Sequence, residues 1–295
     1  MTEPSPADGR PARDFDLHVI SGLPRAGSTL LSALLAQNPE VHASISSPLL
    51  GAIQAVRDHF NMADQTAASL VPDEDQRELH GHLIDGYYRQ RRQGRRIVFD
   101  TNRGWTAQLG LLHALSPGSK VLVCVRDMAA VVDSFERIFR ANPFMLTRLF
   151  AGPQEWSSVY TRVEALTQRG RVVGGPWLAL KEGLYSEHAA KLLLIDYDLL
   201  AQSPLQVLEQ VYVFLGLTPW DGHRLDGLSL PEAELARVRQ FDQNLGTPQL
   251  HQLLPSVRYQ RRDSVLPPDL LQTVRALNFW QALDGSKAQM LRQTG

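Results

Sequence analysis

Ser21-Gly22-Leu23-Pro24-Arg25-Ala26-Gly27-Ser28-Thr29-Leu30-Leu31 follows the apolar run Leu17-His18-Val19-Ile20 and opens into Ser32-Ala33-Leu34-Leu35-Ala36-Gln37. The order is strand, glycine-bearing loop, amphipathic helix. Gly22 and Gly27 enclose four residues and are followed by Ser28-Thr29, which is the spacing of a phosphate-binding loop, G-x-x-x-x-G-K-[ST], with Ser28 in the lysine's place. In such a loop successive backbone N–H groups and the positive end of the next helix face an anion, so the cradle needs no side chain. The missing lysine removes the cation that would reach a β/γ-phosphate. The positive charge has moved into the loop as Arg25, which argues against hydrolysis of ATP or GTP.

Working outward, Leu30, Leu31, Leu34 and Leu35 recur at helical spacing, and Gln37-Asn38-Pro39 stops the helix. The loop therefore stands at the carboxyl end of the first strand, the edge where open α/β sheets bind ligands. Further strands are expected at residues 97–100, 120–125 and 191–198, with helices between them. The run Lys120-Val121-Leu122-Val123-Cys124-Val125 is apolar almost throughout, as a buried parallel strand should be. This alternation predicts a three-layer α/β sandwich with a mostly parallel central sheet.

Polar residues follow each strand. Asp100-Thr101-Asn102-Arg103 ends one, and Arg126-Asp127 ends the next, with Ser134 eight residues later in a helix whose buried stripe is Val131, Val132, Phe135, Ile138 and Phe139. An arginine fork and a hydroxyl so placed can share one phosphate. Asp196-Tyr197-Asp198 ends a third strand, and a second basic cluster, Arg258, Arg261 and Arg262, lies near the carboxyl terminus. Arg89, Arg91, Arg92, Arg95 and Arg96 read first as a solvated helix end and second as a docking patch for an acidic partner.

Length and composition set the outer bounds. The 295 residues, 43% hydrophobic and 21% charged, fit one large domain from residue 15 to 295 behind a disordered lead of residues 1–14. A formal net charge of -1 excludes a globally basic nucleic-acid binder. The lone Cys124 provides neither a disulfide nor a metal site and reads as a small buried hydrophobe. No signal-peptide pattern and no run of about 20 apolar residues is present, so a soluble cytoplasmic protein is expected. The poorly patterned residues 142–177 predict a helical insertion on the acceptor side of the sheet edge.

Three blocks together resemble the sulfotransferase family that uses 3′-phosphoadenosine 5′-phosphosulfate. Gly22 to Leu31 is similar to its 5′-phosphosulfate loop, Arg126 and Ser134 to its 3′-phosphate site, and residues 193–199 with the helix after them to a third block. The wording of the loop is most similar to soluble bacterial members, some of which sulfate protein tyrosines. The resemblance implies a fold like that of the P-loop nucleoside triphosphatases and metal-free sulfuryl transfer to a hydroxyl or phenol of a small molecule or peptide. Pro24, Arg25, Ala26, Gly27, Ser28, Thr29 and Leu30 would hold the donor's 5′ end and Arg126 with Ser134 its 3′-phosphate. Tyr197, Arg258 and Arg261 are further donor-site candidates. A P-loop kinase and a non-catalytic nucleotide-binding module are the alternatives; the sequence does not set the oligomeric state and is compatible with a dimer.

For catalysis, Arg25 would stabilise charge on the bridging oxygen, and Asn102 or Arg103 would orient the sulfuryl oxygens. Animal tyrosylprotein sulfotransferases carry a glutamate base where this chain has residues 43–48 without a carboxylate, and cytosolic sulfotransferases a histidine where it has Asn102-Arg103. Asp100 is then the expected base, with Asp58 and His59 next.

Overall fold

The computed structural model describes residues 13–62, 70–141, 144, 148–244, 246, 250–251, 253–260 and 262–291. Its six strands are β1 (Asp16–Gly22), β2 (Val41–Ala43), β3 (Ile97–Thr101), β4 (Val121–Val125), β5 (Leu192–Asp196) and β6 (Gln289–Met290). They form one sheet in the order β2-β3-β1-β4-β5-β6, and every pairing is parallel. The sheet is flanked by helices, so the α/β reading holds. All five residues of β3 and of β4 are buried, which is why β4 reads as an unbroken apolar run and β3 opens as one, Ile97-Val98-Phe99, before Asp100 and Thr101.

The helices are α1 (Ser28–Leu35), α2 (Leu49–Phe60), α3 (Asp73–Arg91), α4 (Leu109–Leu115), α5 (Met128–Ala141), α6 (Pro153–Trp156), α7 (Val159–Thr167), α8 (Gly174–Leu184), α9 (Tyr197–Gln202), α10 (Pro204–Leu215), α11 (Glu232–Asn244) and α12 (Pro268–Arg275). Local chemistry sets several of their ends. Ser158 and Thr161 close a reciprocal capping box at the start of α7. Gly216 stops α10 in the left-handed conformation, φ 77°. Helix α3 begins at Asp73, several residues before its apolar spacing becomes visible, because Asp73, Glu74 and Asp75 stabilise its first turn through the helix dipole rather than through packing.

The chain lays β2 and β3 on one side of β1 and then crosses to place β4 on the other. That reversal opens a crevice at the carboxyl ends of β1 and β4. At its floor the two strands come unusually close. Gly22 is in register with Cys124, and the Leu23 N–H donates to the Cys124 carbonyl at 2.9 Å. A Cβ on Gly22, whose φ is +109°, would stand 2.2 Å from that oxygen. Only glycine allows both the dihedral and the approach.

Of the lead, residues 1–12 lie outside the described residues, while Arg13 pairs with Asp85 at 2.6 Å and Asp14 with Arg92. The stretch 142–177 is helical over α6, α7 and the start of α8 where described. Arg162 of α7 makes two hydrogen bonds, 2.7 and 2.8 Å, to the buried Glu136 of α5. Helix α8 lies on the 3-10 turn Arg103–Gln108, where a Cβ on Gly183 would meet the Thr106 carbonyl at 2.4 Å. No described helix is long and apolar enough to cross a membrane.

Gly22→Ala combines a strained dihedral with an overpacked strand contact, and we expect it to lower unfolding free energy by about 2–4 kcal/mol. Urea denaturation followed by circular dichroism checks this; a change near zero would mean that β4 can move away without cost.

Candidate active site

The loop between β1 and α1 turns at two residues with positive φ, Arg25 at 60° and Gly27 at 92°. Gly27 lets the backbone pass under the Tyr197 ring, since a Cβ there would come 2.8 Å from Cδ2. The first turn of α1 then opens toward the crevice with its N–H groups free of intrahelical partners. Arg25 Nε donates to Ser134 Oγ at 3.0 Å, and its guanidinium also donates to the Leu250 carbonyl. Arg126, one residue beyond β4, donates from Nη1 to the Arg25 carbonyl at 3.2 Å and lies 4.1 Å from the Tyr197 ring centroid. Three strand ends are thereby tied to one loop.

Around this loop lies a cavity of about 160 Å³. Arg25, Arg103, Arg126 and Arg258 line it together with Ser28, Thr29 and Tyr197, and among the described residues the lining holds no carboxylate. Among the described residues none of the four arginines forms an ion pair. Their proximity is costly. Burial, and then Arg126, lower the Arg25 pKa; burial, and then Arg25, bring Arg103 down to about 10. Arg126 Nε is buried and has no hydrogen-bond partner among the described residues. Positive charge buried in this way is relieved when an anion is placed beside it.

A sequence model described as "Sulfotransferase family" matches residues 19–222, which takes in the loop, Arg126, Ser134 and Tyr197. The chain belongs to the sulfotransferase family. Among curated proteins, the nodulation protein NoeE of Sinorhizobium fredii is 26% identical over 216 residues, 68% of this chain and 50% of NoeE. The chain thus spans about half the length of that relative. Among solved structures, the sulfotransferase domain of the Synechococcus PCC 7002 olefin synthase is 19% identical, with 94% of this chain and 99% of that one covered and a TM-score of 0.47. Sulfotransferase STF9 from Mycobacterium avium is 14% identical, with coverages of 95% and 79% and a TM-score of 0.46.

In this member of the family the expected donor-site residues are brought together unevenly. Arg25, Gly27, Ser28, Thr29, Leu30, Arg126, Tyr197 and Arg258 line the cavity. Pro24 and Ala26 are buried beneath the loop, and Ser134 reaches the site only through Arg25. Arg261 lies outside the described residues. Of the 89–96 cluster, Arg91 stacks on Tyr87 at 4.0 Å and Arg92 pairs with Asp14. Burial pushes the Cys124 thiol up to about 12, so it is inert.

The expected catalytic pair Asp100 and Asn102 is corrected. Asp100 is paired with Val19, short of the sheet edge, and is 0% exposed. One of its oxygens accepts from the Tyr88 hydroxyl and the other from Trp105 Nε1 at 2.6 Å. Burial raises its pKa, against these hydrogen bonds; the group holds β3 to α3 and to the Arg103–Gln108 turn. Asn102 caps that turn, its carbonyl accepting from the Gly104 N–H and its amide donating to the Ser47 carbonyl, both at 2.9 Å. Asp58 pairs with Arg57 at 3.4 Å and the His59 ring lies against Phe60, away from the cavity lining.

Sequence reasoning missed His251. It lines the arginine-lined cavity and also a second one of about 420 Å³ that reaches toward Ser44, Tyr88 and Phe241. Its Nδ1 is 2.7 Å from Asp242 Oδ1, and its backbone N–H donates to Asp242 Oδ2 at 3.0 Å. The signal available in sequence was only a histidine nine residues after an aspartate in unpatterned chain.

Asp100→Ala leaves the Tyr88 hydroxyl and the Trp105 N–H buried without an acceptor, and we expect a loss of about 2–4 kcal/mol of stability. The folded variant should keep wild-type affinity for adenosine 3′,5′-bisphosphate. Denaturant titration and calorimetry separate this outcome from a catalytic one, in which stability would hold.

Proposed function

We propose that this sulfotransferase takes its sulfuryl group from 3′-phosphoadenosine 5′-phosphosulfate held in the arginine-lined cavity and passes it to a hydroxyl or phenol. The observation that carries this reading is the cluster of four arginines with no carboxylate on the lining, set against a helix N-terminus. Those charges are unpaired because their partner is an anionic ligand. The backbone N–H groups of residues 28–30 with the Ser28 and Thr29 hydroxyls would hold the 5′-phosphosulfate. Arg126, with its unpartnered Nε and its ring support from Tyr197, would hold the 3′-phosphate, and Ser134 would keep Arg25 in place.

The donor, when bound, supplies an activated sulfuryl group whose departure leaves negative charge on a bridging oxygen. Arg25 and Arg103 place positive charge where that develops, and they are held in advance of reaction by hydrogen bonds and burial. The kinase reading is less well supported. It requires a lysine where Ser28 stands and a carboxylate for magnesium beside the phosphates, and the lining offers neither.

Removing the guanidinium in Arg126→Ala should weaken adenosine 3′,5′-bisphosphate by about 1.5–3 kcal/mol, some 10- to 100-fold, with adenosine 5′-phosphate nearly unaffected. Isothermal calorimetry on both ligands reads the difference. Equal losses would take Arg126 out of the 3′ site, and no binding of the bisphosphate to wild-type protein would overturn the donor assignment itself.

A further inference from the structure

The second cavity is built unlike the first. Its walls are Ile45, Pro48, Tyr87, Tyr88, Val238 and Phe241, an apolar and aromatic surface. Its charged residues are paired or stacked within the lining itself. Arg237 pairs with Glu234, and Arg91 stacks on Tyr87 while donating to the Tyr87 carbonyl at 2.9 Å. His42, on the same lining, has its pKa brought down to about 4 by burial and then by Arg95, Arg237 and Arg91, so it is a neutral polar group there. Its Nε2 has no hydrogen-bond partner among the described residues. A volume of about 420 Å³, with these apolar and aromatic walls beside three serines, two histidines and the paired charges, suits a compact organic molecule that carries a hydroxyl.

His251 belongs to the lining of both cavities. With the Asp242 carboxylate accepting at Nδ1, the ring proton sits on Nδ1 and the Nε2 lone pair is left to accept. The Phe241 ring, 5.6 Å away centroid to centroid, backs the imidazole. The residue before it touches the donor-side loop, since Arg25 donates to the Leu250 carbonyl. The charged groups acting on the ring are Asp242, Arg103 and Arg25.

Resting on the donor assignment above, we propose that the second cavity binds the acceptor, a phenol or alcohol with a compact apolar body, and that His251, oriented by Asp242, is the base that takes its proton. The balance is simple. The acceptor O–H proton passes to His251 Nε2, and the acceptor oxygen forms the new bond to sulfur. The bond between sulfur and the bridging phosphate oxygen breaks, and its electron pair leaves with adenosine 3′,5′-bisphosphate. Burial lowers the His251 pKa, with Arg103 and Arg25 acting in the same direction and Asp242 against them. The base form therefore persists below the ordinary histidine range, and the acid limb of the rate profile should lie there.

With the phosphosulfate donor and 2-naphthol as acceptor, His251→Ala should lower kcat about 10²- to 10⁴-fold while calorimetric affinity for adenosine 3′,5′-bisphosphate stays at the wild-type value. Asp242→Asn should lower kcat less and move the acid limb to lower pH, because the group that raises the imidazole pKa is gone. Val238→Trp, which fills the second cavity, should raise KM for 2-naphthol and leave bisphosphate affinity alone. Near-normal kcat in His251→Ala, or a loss matched by lost bisphosphate affinity, overturns the base; unchanged KM in Val238→Trp overturns the cavity. Transfer by wild-type protein to a tyrosine hexapeptide but not to 2-naphthol, or to neither, overturns the acceptor class. Failure of wild-type protein to bind the bisphosphate strikes the donor assignment instead, so the two readings fail separately.

Discussion

The approach of Gly22 to the Cys124 carbonyl is the contact on which the site depends. It carries the pairing of β1 with β4 to the last residue of β1 and sends the loop out flush with the sheet edge. Arg126 stands two residues past Cys124 and so can reach back to the Arg25 carbonyl. Tyr197, from the end of β5, settles over Gly27 for the same reason. A side chain at position 22 would lift the loop, and each of these contacts would lengthen with it.

The arginines are held by groups that do not cancel their charge. Arg25 leans on the Leu250 carbonyl and the Ser134 hydroxyl, Arg126 on the Arg25 carbonyl and an aromatic face. Carbonyls and rings fix direction and leave most of the positive field for a ligand. The cost appears in the lowered pKa values of Arg25 and Arg103, each depressed first by burial and then by a neighbouring arginine. An anion that relieves this repulsion stabilises the folded chain through the same contacts that hold it, so ligand affinity and stability are linked. Elsewhere the fold uses the opposite solution, as where Arg162 and Arg140 meet the buried Glu136.

The loop, the central strands and Arg126 were legible because their signals are local: glycine spacing, an apolar run, a cation at its end. Strands β2 and β6 were not, since three and two residues are too few to show a period and both exist through pairing at the sheet edges. Asp100 was misread for a related reason. A carboxylate at the end of an apolar run looks the same whether it clears the sheet edge or stops beside Val19, and register decides which. Trp105 and Tyr88, its two donors, are five residues on and twelve back in the chain. In the 142–177 region helix α7 is short, capped by Ser158 and Thr161 and held by Glu136, so it needs little periodicity and shows little in the sequence.

The choice of imidazole over carboxylate at the meeting of the two cavities follows from the same charge imbalance. A carboxylate standing where His251 stands would face Arg25 and Arg103, and two nearby cations hold a carboxylate far below its usual pKa. It would be ionised at every useful pH and a poor proton acceptor, since base strength falls with pKa. An imidazole answers the same field in the opposite way, because nearby positive charge favours its neutral, proton-accepting form. Asp242 on the far side then supplies the counterweight, fixing the tautomer and supporting the imidazolium after it forms, while itself contributing nothing to the lining of either cavity. On the proposed reading, the arginines that line the first cavity also set what kind of base can work beside it, and the Asp242 carboxylate acts through the imidazole rather than on the lining.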